Sequence, residues 1–221
     1  MGDRERKPRR HSLADSAELV SDPVQRAELE SANALRQFDH GLEIVRDYLD
    51  PERPFRLRPS HILALHRVAL EGLSEFAGLT RPADVRIGQS QHQPPGAHLV
   101  HELLEDLCDT INDNWHKESA LHLAGYAMWR LNWIHPFTDG NGRTSRILSY
   151  VIMNLRMGAI LPGAKTIPDQ ITENRTPYFQ ALEAADKTEQ NGSADLAKME
   201  ELLEALLAVQ LDSAIDTAHS T

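Results

Sequence analysis

The stretch His135-Pro136-Phe137-Thr138-Asp139-Gly140-Asn141-Gly142-Arg143-Thr144-Ser145-Arg146 puts a base, a carboxylate, two loop glycines and two arginines into one short segment. Pro136 disfavours helical geometry at His135, so a helix arriving from the N-terminal side ends there with its imidazole at the rim of a loop. Gly140 and Gly142 allow turns that bring backbone N–H groups inward. A helix starts at once after them, and its first turn adds unpaired N–H groups and the positive end of its dipole. Arg143 and Arg146 are three apart on that turn and share a face. Two guanidinium forks at a helix N-terminus suit a polyphosphate. Asp139 supplies one hard oxygen ligand, the chemistry Mg²⁺ uses when phosphates complete its shell. The plainer reading is also available. Asp-Gly-Asn-Gly is good turn chemistry, a histidine can simply close a helix, and arginines on a helix are commonly solvated. A turn, however, needs one glycine rather than this ordered set.

The elements around the segment read as helices. Asp22-Pro23 opens a long one to about Leu49, with Val24, Leu29, Ala32, Leu35, Phe38, Leu42 and Val45 three to five apart. Asp50-Pro51 breaks it. A second is expected over Ser60–Phe76 and a third over Ala97–Asn114, the latter with Leu99, Leu103, Leu107 and Ile111 as its apolar stripe. A fourth covers Ser119–Ile134. A fifth follows the glycine loop and stops at Gly158. Two more are expected over Pro177–Asp186 and Ala194–Ile215. Residues 81–96 differ: Val85-Arg86-Ile87 alternates and Gly88 to Gly96 is rich in turn formers, so a small β-hairpin flap is expected on an otherwise all-α bundle. Leu202, Leu203, Leu206 and Leu207 of the last helix either pack on the domain or join two copies in a homodimer. Glu200, Glu201 and Glu204 are expected on its solvated face.

Composition bounds the rest. The 221 residues suffice for one well-cored domain, with 41% hydrophobic and 25% charged residues. Cys108 is the only cysteine, which excludes a disulfide scaffold and suits a cytoplasmic setting. The longest apolar candidate, Leu121 to Trp133, is broken by Arg130 and Asn132, so no membrane span is expected. The start Met1-Gly2-Asp3-Arg4-Glu5-Arg6 has no apolar signal core behind it. Net charge is −10. Arg4, Arg6, Lys7, Arg9 and Arg10 crowd the first ten residues, leaving the body still more acidic. That repels phosphate backbones, and no nucleic-acid partner is expected. Residues 1–20 are expected as a disordered basic tail, 21–56 as a helix packed on the core, 57–190 as the core, and 191–221 as a final helix with a frayed end.

HPFTDGNGRTSR resembles the signature of the Fic (Fido) family, HPF-x-[DE]-GNGR-x-x-R, at every specified position. Leu65-His66 to Gly72-Leu73, Ala77-Gly78 and Arg81 resemble the helix and connector before that family's flap. Val85, Ile87 and Gly88 resemble the flap. Asn174-Arg175 and Tyr178-Phe179-Gln180-Ala181-Leu182 resemble the segment that helps house the adenine. The likeness covers about residues 57–186. It implies transfer of AMP from Mg²⁺-bound ATP to a Ser, Thr or Tyr hydroxyl of a target protein. His135 would be the general base and Asp139 the Mg²⁺ ligand. Gly140, Asn141, Gly142, Arg143 and Arg146 would hold the phosphates. Val85, Ile87 and Gly88 would align the target through main-chain pairing. Tyr178 and Phe179 would line the adenine pocket.

Many relatives carry an inhibitory helix, [ST]-x-x-x-E-[GN]. In Glu28-Leu29-Glu30-Ser31-Ala32-Asn33, Ala32 stands where the glutamate belongs, and Glu30 is about 200° away around the helix, expected to point elsewhere. No intact motif is present, which favours an enzyme that does not inhibit itself, open to restraint by a separate antitoxin-like partner, over one restrained by a degenerate helix of its own. Alternatives keep the fold and change the chemistry: another nucleotide, phosphate transfer, AMP removal, or a non-catalytic nucleotide-binding module. The phosphate-transferring relatives have Lys where this chain has Gly142.

Overall fold

A computed structural model describes residues 12–13, 18–88, 90–190 and 192–219. The elements are β1 (Ser12–Leu13), α1 (Pro23–Tyr48), α2 (Pro59–Leu70), β2 (Arg86–Ile87), a 3₁₀ turn (Ala97–Leu99), α3 (Val100–Asp113), α4 (Ala120–Ile134), α5 (Asn141–Met157), α6 (Ile167–Glu173), α7 (Thr176–Glu189) and α8 (Ala197–His219). The expected all-α bundle is what forms. Among the described residues, no helix is long and apolar enough to cross a membrane.

The helices α4 and α5 form the centre. Each is buried nearly all round, from Leu123 to Ile134 on α4 and from Thr144 to Leu155 on α5, the pattern of an internal helix rather than a surface one. The other helices wrap this pair. Gly41 of α1 brings its backbone against Ile147 and Val151 of α5: a Cβ there would lie 2.9 and 3.3 Å from their methyl carbons.

The helix α1 begins as the sequence dictates. Asp22 accepts the Gln25 N–H at 2.8 Å and Pro23 takes the first helical position. Its buried face keeps part of the expected apolar stripe: Val45 is buried and Leu29, Phe38 and Leu42 pack on the core, while Val24 and Leu35 are about two-thirds exposed. Asn33, Gln37, Gly41 and Ile44 face inward beside them. The two polar ones have a cause. Gln37 Nε2 donates to Leu65 O, and Asn33 Nδ2 donates to Ala69 O and Glu71 O. The Ala69 and Glu71 carbonyls lie at the C-terminal end of α2, where helix ends leave acceptors unpaired; Leu65 O lies further inside the helix. The helix α2 also stops six residues before the expected Phe76. Glu71 leaves helical geometry and Gly72 turns left-handed at φ 72°.

The flap strand β2 pairs antiparallel with β1, Ser12 opposite Ile87 and Leu13 opposite Arg86, so its partner is the N-terminal segment and not the other limb of a hairpin. Glu18 bridges Ser74 nearby, and Leu19 N–H donates to Leu73 O at 3.1 Å. Part of the expected solvated tail is therefore docked. Its basic residues Arg4, Arg6, Lys7, Arg9 and Arg10 lie outside the described residues. On α3 the buried stripe is Val100, Leu104, Leu107, Cys108 and Ile111; Leu107 and Ile111 are as expected, Leu103 packs on the core half-buried, and Leu99 is at the surface. On α8, Leu203 and Leu207 are buried and Leu202 and Leu206 pack on the core. These leucines cover the domain. Glu200, expected in solvent, reaches His122 Nδ1 at 2.8 Å.

The helix α6 was not anticipated. It is seven residues long, too short to show a period. Its start is capped by Thr166, whose hydroxyl donates to Asp169 Oδ2 at 2.6 Å.

Candidate active site

The chain enters the loop at His135, the C-cap of α4. His135 is left-handed, φ 51° and ψ 56°, and is the only non-glycine with positive φ among the described residues. Histidine tolerates this region better than most residues, but it still needs support. Its N–H donates to Leu131 O at 3.0 Å. Its Nδ1 lies 3.3 Å from Asn132 O. A carbonyl only accepts, so Nδ1 carries the proton in this contact and Nε2 keeps the lone pair.

Asn141 closes the loop. Its side chain accepts Phe137 N–H at 3.0 Å and donates to Phe137 O at 2.8 Å. The expected phosphate ligand thus spends both ends of its amide on shaping the turn. Phe137 is fully buried and stacks on His66, ring centroids 3.7 Å apart and planes within 3°. His66 Nδ1 accepts Gly78 N–H at 3.0 Å, which leaves Nε2 as the donor to Asp139 O at 3.1 Å. One neutral imidazole thereby ties α2, the connector before the flap and the loop together.

Burial lowers the His66 pKa from 6.5 to about 4. Between those values the unfolded chain binds the proton that the folded chain refuses, so stability rises with pH there. The contribution is complete above about pH 6.5 and lost as pH falls toward 4, roughly 3 kcal/mol in all. Urea midpoints measured from pH 7 to 4 are expected to fall less steeply in His66→Gln than in the wild type. Parallel curves would sink the expectation.

Gly140 has φ 76° and leads into α5 with no side-chain cap on its N-terminal amides. Those amides sit where an anion is favoured. Asp139 stands beside them. Its Oδ1 accepts Gly140 N–H at 2.6 Å and its Oδ2 accepts Arg143 Nη2 at 2.9 Å. Gly142 lies against Arg146, to which a Cβ would come within 3.3 Å.

The two arginines diverge rather than reach out as a matched pair. Arg143 turns back to Asp139, while Arg146 is almost wholly buried against the Tyr178 hydroxyl. Burial draws the Arg146 pKa down to about 10; Tyr178 opposes this, and Arg175 and Arg143 add to it. Three positive groups therefore converge on the start of α5, a field that favours an anion. Tyr178, expected in an adenine pocket, is itself core. Its hydroxyl takes part in a buried cluster with Asn132 Nδ2 at 2.8 Å and Ser145 Oγ at 3.3 Å. It supports Arg146 from behind. Phe179 is half-buried beside it.

On the flap, Val85 and Ile87 are buried anchors and Gly88 is half-buried. His92 Nε2 fastens the far limb to Trp133 O at 2.7 Å. An open groove of about 600 Å³, lined by Thr80, Asp84, His98 and His101 among others, runs along the base of the flap.

The N-terminal helix also reaches the site. Arg26 Nη2 lies 3.9 Å from Asp139 Oδ2, Arg26 pairs with Glu18 and Glu30, and Glu30 Oε1 lies 4.0 Å from Arg143 Nη1. Glu30 therefore faces the site, but at Arg143 rather than at Arg146, the second arginine of the segment. Arg26, Glu30, Asn33 and Gln37 are spaced four, three and four apart, so they share one face. Docking of Asn33 and Gln37 on α2 turns that face inward, while Ala32 stays exposed. Sequence spacing gave the angle between positions 30 and 32 but not the roll of the helix.

The sequence missed roles for His66, Arg26, Asn132 and Arg81. A usable signal existed for His66, a histidine at the turn spacing of Ile62, Leu65 and Ala69 on a buried face.

Residues 56–153, a little under half of the chain, match the Fic/DOC family. Protein adenylyltransferase fic-1 of Caenorhabditis elegans is 36% identical over 134 residues, spanning 57% of this chain and 23% of that protein. A structure of C. elegans Fic-1 superposes with a TM-score of 0.67 at 24% identity, covering 86% of this chain and 53% of the other. BepC of Bartonella tribocorum, solved with bound AMPPNP, superposes with a TM-score of 0.58 at 16% identity, covering 85% and 88%. The chain thus spans only about a quarter of the C. elegans fic-1 sequence.

Proposed function

We propose that this chain is a protein adenylyltransferase that moves AMP from Mg²⁺-bound ATP to a Ser, Thr or Tyr hydroxyl of a target protein. The observation that carries the reading is the loop of residues 135–146, folded as one unit onto the uncapped start of α5 with His135 at its rim. Relatives named protein adenylyltransferase support it, as does a fold shared with a protein that holds AMPPNP.

His135 Nε2 takes the proton of the target hydroxyl as its oxygen attacks the α-phosphorus of ATP. The bond from that phosphorus to the bridging oxygen breaks, and pyrophosphate leaves. Histidine suits the task because its ordinary pKa lies near neutral pH. The α5 amides and Arg143 and Arg146 stabilise the phosphate charge that shifts toward the leaving group. Asp139 fits Mg²⁺, which characteristically takes one or two carboxylates and completes its shell with water and phosphates. No group of three or more metal-binding side chains exists among the described residues. When bound, the ion would neutralise phosphate charge. The flap would present main-chain groups to an extended target segment.

The test is incubation of the chain with Mg²⁺, a protein lysate and ATP labelled at either the α- or the γ-phosphate. Label is expected on a protein from the α position only. Transfer of the γ label instead would overturn the reading in favour of phosphate transfer.

Arg26 competes for the Asp139 carboxylate. Both side chains are about one-third exposed, and partly exposed ion pairs are worth about 0.2–1 kcal/mol. Arg26→Ala is therefore expected to lower the Mg²⁺ concentration for half-maximal transfer by about two- to fivefold. A Mg²⁺ titration with an unchanged midpoint would show that Arg26 does not restrain the carboxylate.

A further inference from the structure

Arg81 is buried to its tip, its side chain fully withdrawn from solvent. It spends its donors on main-chain carbonyls from two separate places. Nε donates to His135 O at 2.8 Å, and the Arg81 backbone N–H donates to Pro136 O, also at 2.8 Å. Nη1 donates to Ala83 O at 3.1 Å and Nη2 donates to Pro95 O. The first pair belongs to the left-handed turn that aims His135. The second pair marks the two roots of the flap, whose strand β2 lies between them.

A buried cation is costly unless its donors are met. The nearest carboxylate, Asp84, is 3.7 Å away and its side chain is 81% exposed, so carbonyls carry most of the compensation. Only a planar fork fits that set. A lysine offers one compact charge and cannot reach both flap roots and His135 O together. Left-handed geometry at a non-glycine residue also relaxes unless the surroundings hold it. Both carbonyls of the His135-Pro136 turn are held by this one residue.

We propose that Arg81 is a positioning residue that keeps His135 and the flap in a single register, so that the base and the docked hydroxyl are brought to each other by one guanidinium. The inference rests on the reading of His135 as base and of the flap as the target-aligning segment. Arg81 touches neither nucleotide nor target in this arrangement.

The test uses the full chain with Arg81→Ala and Arg81→Lys. In the absence of nucleotide, NMR signals of the His135 ring and of the Ile87 and Gly88 amides are followed. Both sets are expected to move in both variants. Guanidinium chloride at millimolar strength, far below the molar range that unfolds proteins, should return both sets together in Arg81→Ala and neither in Arg81→Lys. In transfer assays, kcat should drop by ~30-fold or more, since displacements of about 1 Å can cost on the order of 10²-fold. KM for the target should rise while the Kd for ATP stays within about twofold, and guanidinium should restore kcat in Arg81→Ala. Movement of one set of signals without the other, or kcat within about twofold of wild type, overturns the proposal. If Arg81→Ala does not fold, the Arg81→Lys arm carries the same readouts. A wild-type chain that transfers nothing would defeat the functional reading, and the NMR arm would still decide the coupling.

Discussion

Replacing His135 is expected to lower AMP transfer by about 10²–10⁴-fold, the range that a positioned acid–base group contributes, with the Kd for ATP within about twofold of wild type. The backbone dictates the choice of variant. At φ 51° an alanine would relax toward ordinary helical or extended geometry and carry the loop with it, confusing chemistry with shape. Asparagine tolerates the left-handed region and has no basic nitrogen. His135→Asn therefore separates the two roles better than His135→Ala. If both variants lose transfer and both still bind ATP, the imidazole is the base. If His135→Asn keeps transfer within about tenfold, the histidine only shapes the turn and the proton goes elsewhere.

Gly140→Ala is expected to damage both stability and phosphate binding. Two costs add at this position. Its φ of 76° is left-handed, and the new Cβ would lie 2.5 Å from Leu70 Cδ2 and 3.2–3.3 Å from the His66 ring. The left-handed cost alone is roughly 1–2 kcal/mol, and the collision forces Leu70 or the loop itself to move. A total of about 2–4 kcal/mol would lower Tm by about 4–16 °C for a chain of this size. The loop shift would also misalign the α5 amides, so the Kd for ATP is expected to rise by tenfold or more, about 1.4 kcal/mol. Gly158 is the control. It has a similar φ of 72°, but a Cβ there meets nothing within 4 Å. Gly158→Ala should show only the conformational cost and leave ATP binding unchanged. Equal losses in the two variants would mean that backbone strain, not the wall formed by Leu70 and His66, limits position 140.

The central hairpin was readable because its signals are local and strong. Pro136 ends α4, Gly140 opens α5 and Gly158 closes it, each through its own dihedral preference. The loop of residues 135–146 was readable for the same reason. What escaped is what depends on partners distant in sequence. The helix α1 carries an apolar stripe, yet it also docks through Asn33 and Gln37, because carbonyls of α2, two of them at its C-terminal end, offer acceptors that apolar side chains cannot meet. The period gave the helix and part of its buried face, but not the polar residues on it. That omission hid Glu30, which spacing alone turns away from the site. The family resemblance puts Tyr178 at an adenine pocket, whereas Asn132 and Ser145 draw its hydroxyl into the core. Arg81 and His66 were visible as residues and invisible as roles, since the carbonyls they hold come from the loop more than fifty residues away.

The pairing of β1 with β2 makes one edge of the flap an intramolecular partner's place. Only residues 14–17 separate β1 from Glu18, which is itself bridged to Ser74. A tether that short holds Ser12 and Leu13 at an effective concentration in the millimolar range or above. A free segment seeking the same edge must displace a competitor that never diffuses away, and its apparent affinity falls by the fraction of molecules in which the edge stands open. Short peptides lifted from a target would then be poor acceptors even when the intact target is a good one. A folded protein anchored at a second point, such as the groove beside Thr80 and His101, acquires a tether of its own and competes on equal terms. Under the proposed function, selectivity at such a flap would come from how an acceptor is held elsewhere, and not from the few residues that pair.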